Sequence, residues 1–319
     1  MIKYLFFILV TLLSGCTADF SGLDKPEESV YIRFSSRADV KADIEEASYA
    51  HNRNTRGDEI ASEHSVGILG IATDSIMMAE TSLAGHELVS LRKWMANDVY
   101  YRDPNTGYIL HEEGQNPSFP IHKGSAIVAY AYMPHTEQVE FGTDDCYIPI
   151  DLREDSATTD WRYSGKTAMS KVDYLEIGTF TLDTFKHVMT RLDLVFHLYE
   201  KYRYVKILEV DLGINGGQGR LSLQSGEVAV NDAAEPMHLL RRINKELSSD
   251  GDTIHTEQYY LLPYTEIHDI RIVGVWTDPI FNYKTDTVTY EYTIADSAQW
   301  DSGNLHPGAC STIHVKSLK

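Results

Sequence analysis

The chain has 319 residues, 43% of them hydrophobic, which is enough for two domains of about 150 residues, each with its own core. Its formal net charge of −19 repels nucleic-acid phosphates and anionic lipid head groups, and no basic stripe offsets it. Nucleic acid is therefore excluded as a partner.

The first sixteen residues, MIKYLFFILVTLLSGC, place Lys3 before an apolar run from Tyr4 to Leu13 broken only by Thr11. Such a run suits a signal-peptide core and is too short to span a bilayer as a helix. Leu13-Ser14-Gly15-Cys16 resembles the lipobox of bacterial lipoproteins. That resemblance implies a signal peptide over 1–15, cut between Gly15 and Cys16, with acyl chains on Cys16 and a tether over 16–29. Several acyl chains hold a protein on a membrane firmly, because each buried methylene contributes about 0.8 kcal/mol. Outside the cytoplasm a disulfide is permitted, and Cys146 and Cys310 remain to form one. The alternative is two buried thiols, since a bridge requires Cα atoms within about 7 Å.

Beyond the tether the pattern is mostly strand. VYIRFSS (30–36) alternates, with Val30, Ile32 and Phe34 on one face and Tyr31 and Arg33 on the other. Residues 37–65 are polar and charged, without apolar periodicity, and include Arg37, Arg53 and an Arg56-Gly57-Asp58 tripeptide. A three-residue adhesion motif carries little specificity by itself. VGILGIAT (66–73) is the next strand, and a short helix is expected over Ala84 to Ala96. VYYR and YILH are divided by the turn signal Asp103-Pro104-Asn105-Thr106-Gly107. AIVAYAYMP (126–134), CYIPIDL (146–152), HVMTRLDLVFHL (187–198) and VKILEVDLGI (205–214) carry β-branched and aromatic residues at strand length. Asn215-Gly216-Gly217 reads as a hairpin turn before RLSLQSGEVAV (220–230), and Pro236 to Leu247 reads as a second short helix. HDIRIVGVW (268–276) and DTVTYEYTI (286–294) close the series, the latter in strict alternation. Many short strands separated by turns point to β-sandwiches.

The pieces VGILG, AIVAYAYMP, TFKHVMTRLDLVF, YYLLP and LHPGACSTIHV, in that order behind a lipobox, resemble the fimbrillin-like lipoproteins of the type V pilin superfamily. Phe185, His187, Met189, Arg191 and Leu192 match the strand that opens the second domain in that family. The resemblance implies an all-β chain of two tandem transthyretin-like Greek-key β-sandwich domains, over 30–179 and 180–319. It implies a fimbrial (pilus) subunit or fimbria-associated adhesin, lipid-anchored at the outer membrane or carried in a fimbrium. Its partners would be other fimbrial subunits, with a host or bacterial surface receptor. The alternative is a surface lipoprotein that binds a glycan or other small ligand without polymerising.

In polymerising members of the superfamily, a protease cuts after an arginine beyond the first strand, and a strand from a neighbour refills the opened groove. Here VYIRFSS would be the strand removed, with Arg56 the first candidate for the cut, then Arg53, then Arg37. Strand addition repairs the groove's backbone edges and refills its core with alternate apolar side chains. The final segment STIHVKSLK offers only Ile313 and Val315 in alternation, which suits an ordinary last strand better than a donor. A tip or accessory role is therefore slightly favoured over a shaft role, and an anchor subunit that keeps its lipid and its uncleaved first strand is the third alternative.

Catalytic patterns are weak. The thirteen histidines include no H-E-x-x-H pair, and His187 and His197 are read as structural. GINGGQG (213–219) lacks phosphate-loop spacing, and SSDGDT (248–253) lacks the further ligands of a calcium loop. Asp144-Asp145 are sequence neighbours with no second carboxylate assigned. No enzyme activity, metal or cofactor is expected.

Overall fold

A computed structural model of the chain describes residues 31–36, 65–73, 96–103, 108–111, 117–119, 126–141, 145–155, 157–198, 204–231, 235–277, 285–293 and 306–315. Gly15, Cys16, the tether, Arg37, Arg53 and Arg56 lie outside these, as does the expected helix at 84–96 except for Ala96.

The strands are β1 (Phe34–Ser36), β2 (Ser65–Thr73), β3 (Ala96–Arg102), β4 (Tyr108–His111), β5 (Ala126–Met133), β6 (Glu140–Phe141) and β7 (Cys146–Asp151). After a short helix α1 (Leu152–Asp155) come β8 (Arg162–Ser170), helix α2 (Lys171–Ile177), β9 (Phe180–Leu182), β10 (Lys186–His187) and β11 (Thr190–His197). Then follow β12 (Tyr204–Asn215), β13 (Gln218–Ser222), β14 (Val228–Val230), β15 (Met237–Ser248) and β16 (Ile254–Leu261). The last three are β17 (Glu266–Thr277), β18 (Thr285–Thr293) and β19 (Cys310–Val315).

The fold is an all-β sandwich. An eight-stranded sheet, in the order β10-β8-β5-β2-β3-β4-β1-β9, curls until its ends approach, where Ser164 Oγ donates to Asp183 O at 3.1 Å. Ile32, Phe34, Val66, Ile68, Tyr100, Ile109 and Phe180 are among the residues filling its inner face. The outer face of β2, β5 and β8 packs through Leu69, Tyr130 and Tyr163 into a second core. That core is completed by β7, β13 and the strands β11, β12, β15, β16 and β17. Period-two alternation accounts for the double burial: β5 lies between the two cores and is buried at every position.

Hydrogen bonding crosses residue 180. β9 and β10 join the eight-stranded sheet, while β13 pairs antiparallel with β7. The remaining sheets run β14-β13-β7-β6, β15-β12-β17-β18 and β16-β11-β19.

Two local expectations are corrected. The segment Pro236 to Leu247 is strand β15, not helix, paired antiparallel with β12 from Ser248 to Met237. Its helix formers sit in alternating burial, Leu239 and Leu247 inside and Leu240, Arg242 and Glu246 outside, so pairing overrides propensity. The register shifts between Ile207 and Glu209, opposite Asn244 at a φ of 53°. This is a β-bulge at a residue type that tolerates the left-handed region. The Asn215-Gly216-Gly217 turn, in turn, does not close a hairpin, since β12 and β13 lie in different sheets. It carries the chain from one sheet to the next.

The disulfide is not made: Cys146 and Cys310 are free. Cys146 is buried in β7 against β6, and Cys310 is exposed on β19 beside Arg191 of β11. Burial, with the Asp145 carboxylate next to it, pushes the Cys146 thiol up to about 12.

Candidate functional site: the seat of the first strand

The first strand is seated between two others that come from distant parts of the chain. β1 pairs antiparallel with β4, Phe34 opposite Ile109, and parallel with β9, Phe34 opposite Phe180. Upstream, Tyr31 bridges Ser118, and the Ile32 amide donates to Pro117 O at 2.8 Å. The Phe180 amide donates to Arg33 O at 2.8 Å.

The alternation expected for this strand is realised. Ile32 and Phe34 have no exposed surface, whereas Tyr31 and Arg33 face solvent. Phe34 stands edge-on to Tyr100 and Phe180, with ring centroids 5.8 and 5.4 Å away. Burial of each such side chain contributes about 1.5–3 kcal/mol. At the end of the strand Ser36 is buried, and Arg102 Nε donates to its Oγ at 2.8 Å. Ser35 Oγ donates to Thr181 Oγ1 at 3.3 Å on the opposite face.

A clamp that the sequence reading does not single out holds the start of the strand. Tyr174 Oη accepts from the Arg33 amide and donates to Tyr31 O, both at 2.8 Å. Its ring packs on Phe119 with centroids 4.9 Å apart. Helix α2 positions this tyrosine. Ser170 caps it by accepting from the Asp173 amide, and Gly178, at a φ of 79°, ends it by returning its N–H to Tyr174 O. The pattern Ser170-x-x-Asp173 followed by Gly178 is the signal in the sequence that locates the helix.

The other sequence candidates lie apart from this seat. His187 Nδ1 is 2.7 Å from Asp160 Oδ2, while His197 is on another sheet, its Nε2 3.0 Å from His314 Nδ1. Asp145 is a buried clamp, accepting from the amides of Cys146 at 2.7 Å and Gln224 at 3.0 Å and from Ser222 Oγ. Asp252 pairs with Lys245 at 2.6 Å in its turn. Trp161 is buried and stacked on Tyr132, so it offers no exposed platform for a sugar. Among the described residues no group of three or more His, Cys, Asp or Glu side chains is placed to hold a metal ion.

The β1 seat thus belongs to an all-β protein whose first strand lies between β4 and β9 of the eight-stranded sheet. Comparison with solved structures gives the same fold. The chain is similar to a fimbrial protein from Bacteroides vulgatus at 10% identity and a TM-score of 0.51, over 90% of this chain and 95% of that one. It is also similar to a candidate cell adhesion protein from Bacteroides ovatus at 15% identity and a TM-score of 0.47, over 92% and 93% of the two chains. No protein-family model matches the sequence, and no curated protein does. The fold is fimbrillin-like, as the sequence resemblance implies.

Proposed function

We propose that the chain is a fimbrial subunit or fimbria-associated adhesin, a lipoprotein precursor assembled by protease-triggered exchange of its first strand. In this reading Cys16 carries the lipid, the cell surface is the site of display, and cleavage after Arg56, or else Arg53 or Arg37, releases β1. The observation that carries the proposal is the position of β1 between β4 and β9 with Ile32 and Phe34 in the core. β9 stands at the end of the sheet, and β1 is its ladder partner among the described residues. Loss of β1 would open one edge on each of β4 and β9 above an apolar trough. A strand from another subunit with apolar residues two apart would satisfy both edges and refill the trough.

An accepting role, at a tip or as an accessory, is favoured over a shaft role. The residues of β19 are paired in continuous parallel register with β11, Arg191 opposite Cys310 through Phe196 opposite Val315, and so serve this chain's own sheet. Limited digestion with a trypsin-like protease tests the assembly step. Cutting confined to Arg37–Arg56, followed by loss of residues 30–36 and a shift to oligomers on a sizing column, is the expected result. Resistance in that segment, with monomers throughout, would overturn strand exchange and leave a non-polymerising lipoprotein.

A further inference from the structure

The exposed face of the β16-β11-β19 sheet carries a second feature unrelated to the first-strand seat. His197 lies on β11 and His314 on β19, an edge strand of that sheet. In the parallel register Val195 stands opposite His314, so His197, two residues further on, projects from the same face as its diagonal neighbour. The two rings meet there, with Nε2 of His197 and Nδ1 of His314 3.0 Å apart and ring centroids 5.3 Å apart.

We propose that His197 and His314 form a two-imidazole clamp for a first-row transition-metal ion, with copper(II) or nickel(II) preferred over zinc. Two neutral imidazoles whose nitrogens converge present the donors these ions favour. The geometry distinguishes among the ions. With metal–nitrogen bonds of about 2.0–2.1 Å, a 3.0 Å separation of the nitrogens sets an angle at the metal of roughly 91–97°. That is the near-right angle of tetragonal copper or nickel, whereas a tetrahedral zinc site needs the nitrogens roughly 3.35 Å apart at the same bond lengths. The ion replaces the proton shared between the two nitrogens and sits off the line joining them. Water completes its coordination. Because the ligands lie on separate strands, the bound ion ties the edge strand β19 to β11.

The test uses the tag-free full-length chain in detergent, titrated with copper(II) and read by electron paramagnetic resonance and calorimetry. One tightly bound copper per chain with a two-imidazole nitrogen splitting pattern is expected. His197→Gln and His314→Gln should each weaken that binding at least tenfold and remove the two-nitrogen pattern. Zinc should bind more weakly than copper or nickel. Melting of each variant without metal checks that its fold is intact, since both side chains lie on the exposed face. Copper binding in either variant as tight as in the parent chain, or a parent signal without two imidazole nitrogens, overturns the proposal. Neither outcome bears on strand exchange, whose test involves no metal.

Discussion

Truncation of Phe34 to alanine is the sharpest probe of how β1 is held. The ring has no exposed surface and is flanked edge-on by Tyr100 and Phe180 at 5.8 and 5.4 Å. Both neighbours stand on strands whose backbone is fixed by pairing, so the cavity cannot close fully. Phe-to-Ala changes in such sites cost about 3–5 kcal/mol, a figure that already includes the lost ring contacts. Natural domains are stable by about 5–15 kcal/mol, so a large share of the margin would go. At 2–4 °C per kcal/mol for a unit of 150–250 residues, the midpoint should fall by roughly 6–20 °C. Phe34→Leu keeps most of the apolar volume and should cost about 1–1.5 kcal/mol. Arg33→Ala, one position away with its side chain in solvent, should stay within about 0.5 kcal/mol of the parent. Thermal melts of the uncut chain followed by circular dichroism give the ranking. If Phe34→Ala melts no lower than Arg33→Ala, the first strand is not packed as described and the basis for strand exchange fails.

Three further outcomes follow from the same geometry. Tyr174→Phe removes the hydroxyl that bonds both Arg33 N and Tyr31 O, costing about 1–3 kcal/mol, and hydrogen exchange should show the Arg33 amide losing protection. Gly67→Ala places a methyl against the Tyr132 ring, which is held by Asn97 and Thr136, so overpacking of about 1–3 kcal/mol should appear as a lowered midpoint in urea. Asp151, bonded by Arg153 and Gln218, is held down to about 2. Its folded value is below its unfolded one of about 3.9, so its stabilisation is complete above that value and disappears as pH falls through about 2. Asp151→Asn should therefore cost under about 1 kcal/mol at pH 7, with the difference from the parent vanishing near pH 2 in parallel melts.

What the residues alone determine is the fold class and the face of each strand. Ile32 and Phe34 go inside, and Tyr31 and Arg33 outside, because side chains on a strand alternate and apolar ones seek the core. The same alternation is legible in DTVTYEYTI and in Cys146, Ile148 and Ile150 of β7, all three of which are buried. Propensity misleads where it competes with pairing: Leu-Leu-Arg-Arg-Ile-Asn-Lys-Glu-Leu favours helix locally, yet β12 offers it a ladder of partners on both sides of the bulge. Partner choice is a tertiary matter. Phe34 meets Ile109 and Phe180, and Arg33 meets Tyr174, across long stretches of chain that no local pattern records. His197 and His314 are likewise joined only by the parallel register of β11 and β19. Sequence specifies which surface must be covered, through side-chain chemistry and period. Only the packed structure decides what covers it, because that choice depends on satisfying every strand edge and filling both cores at once.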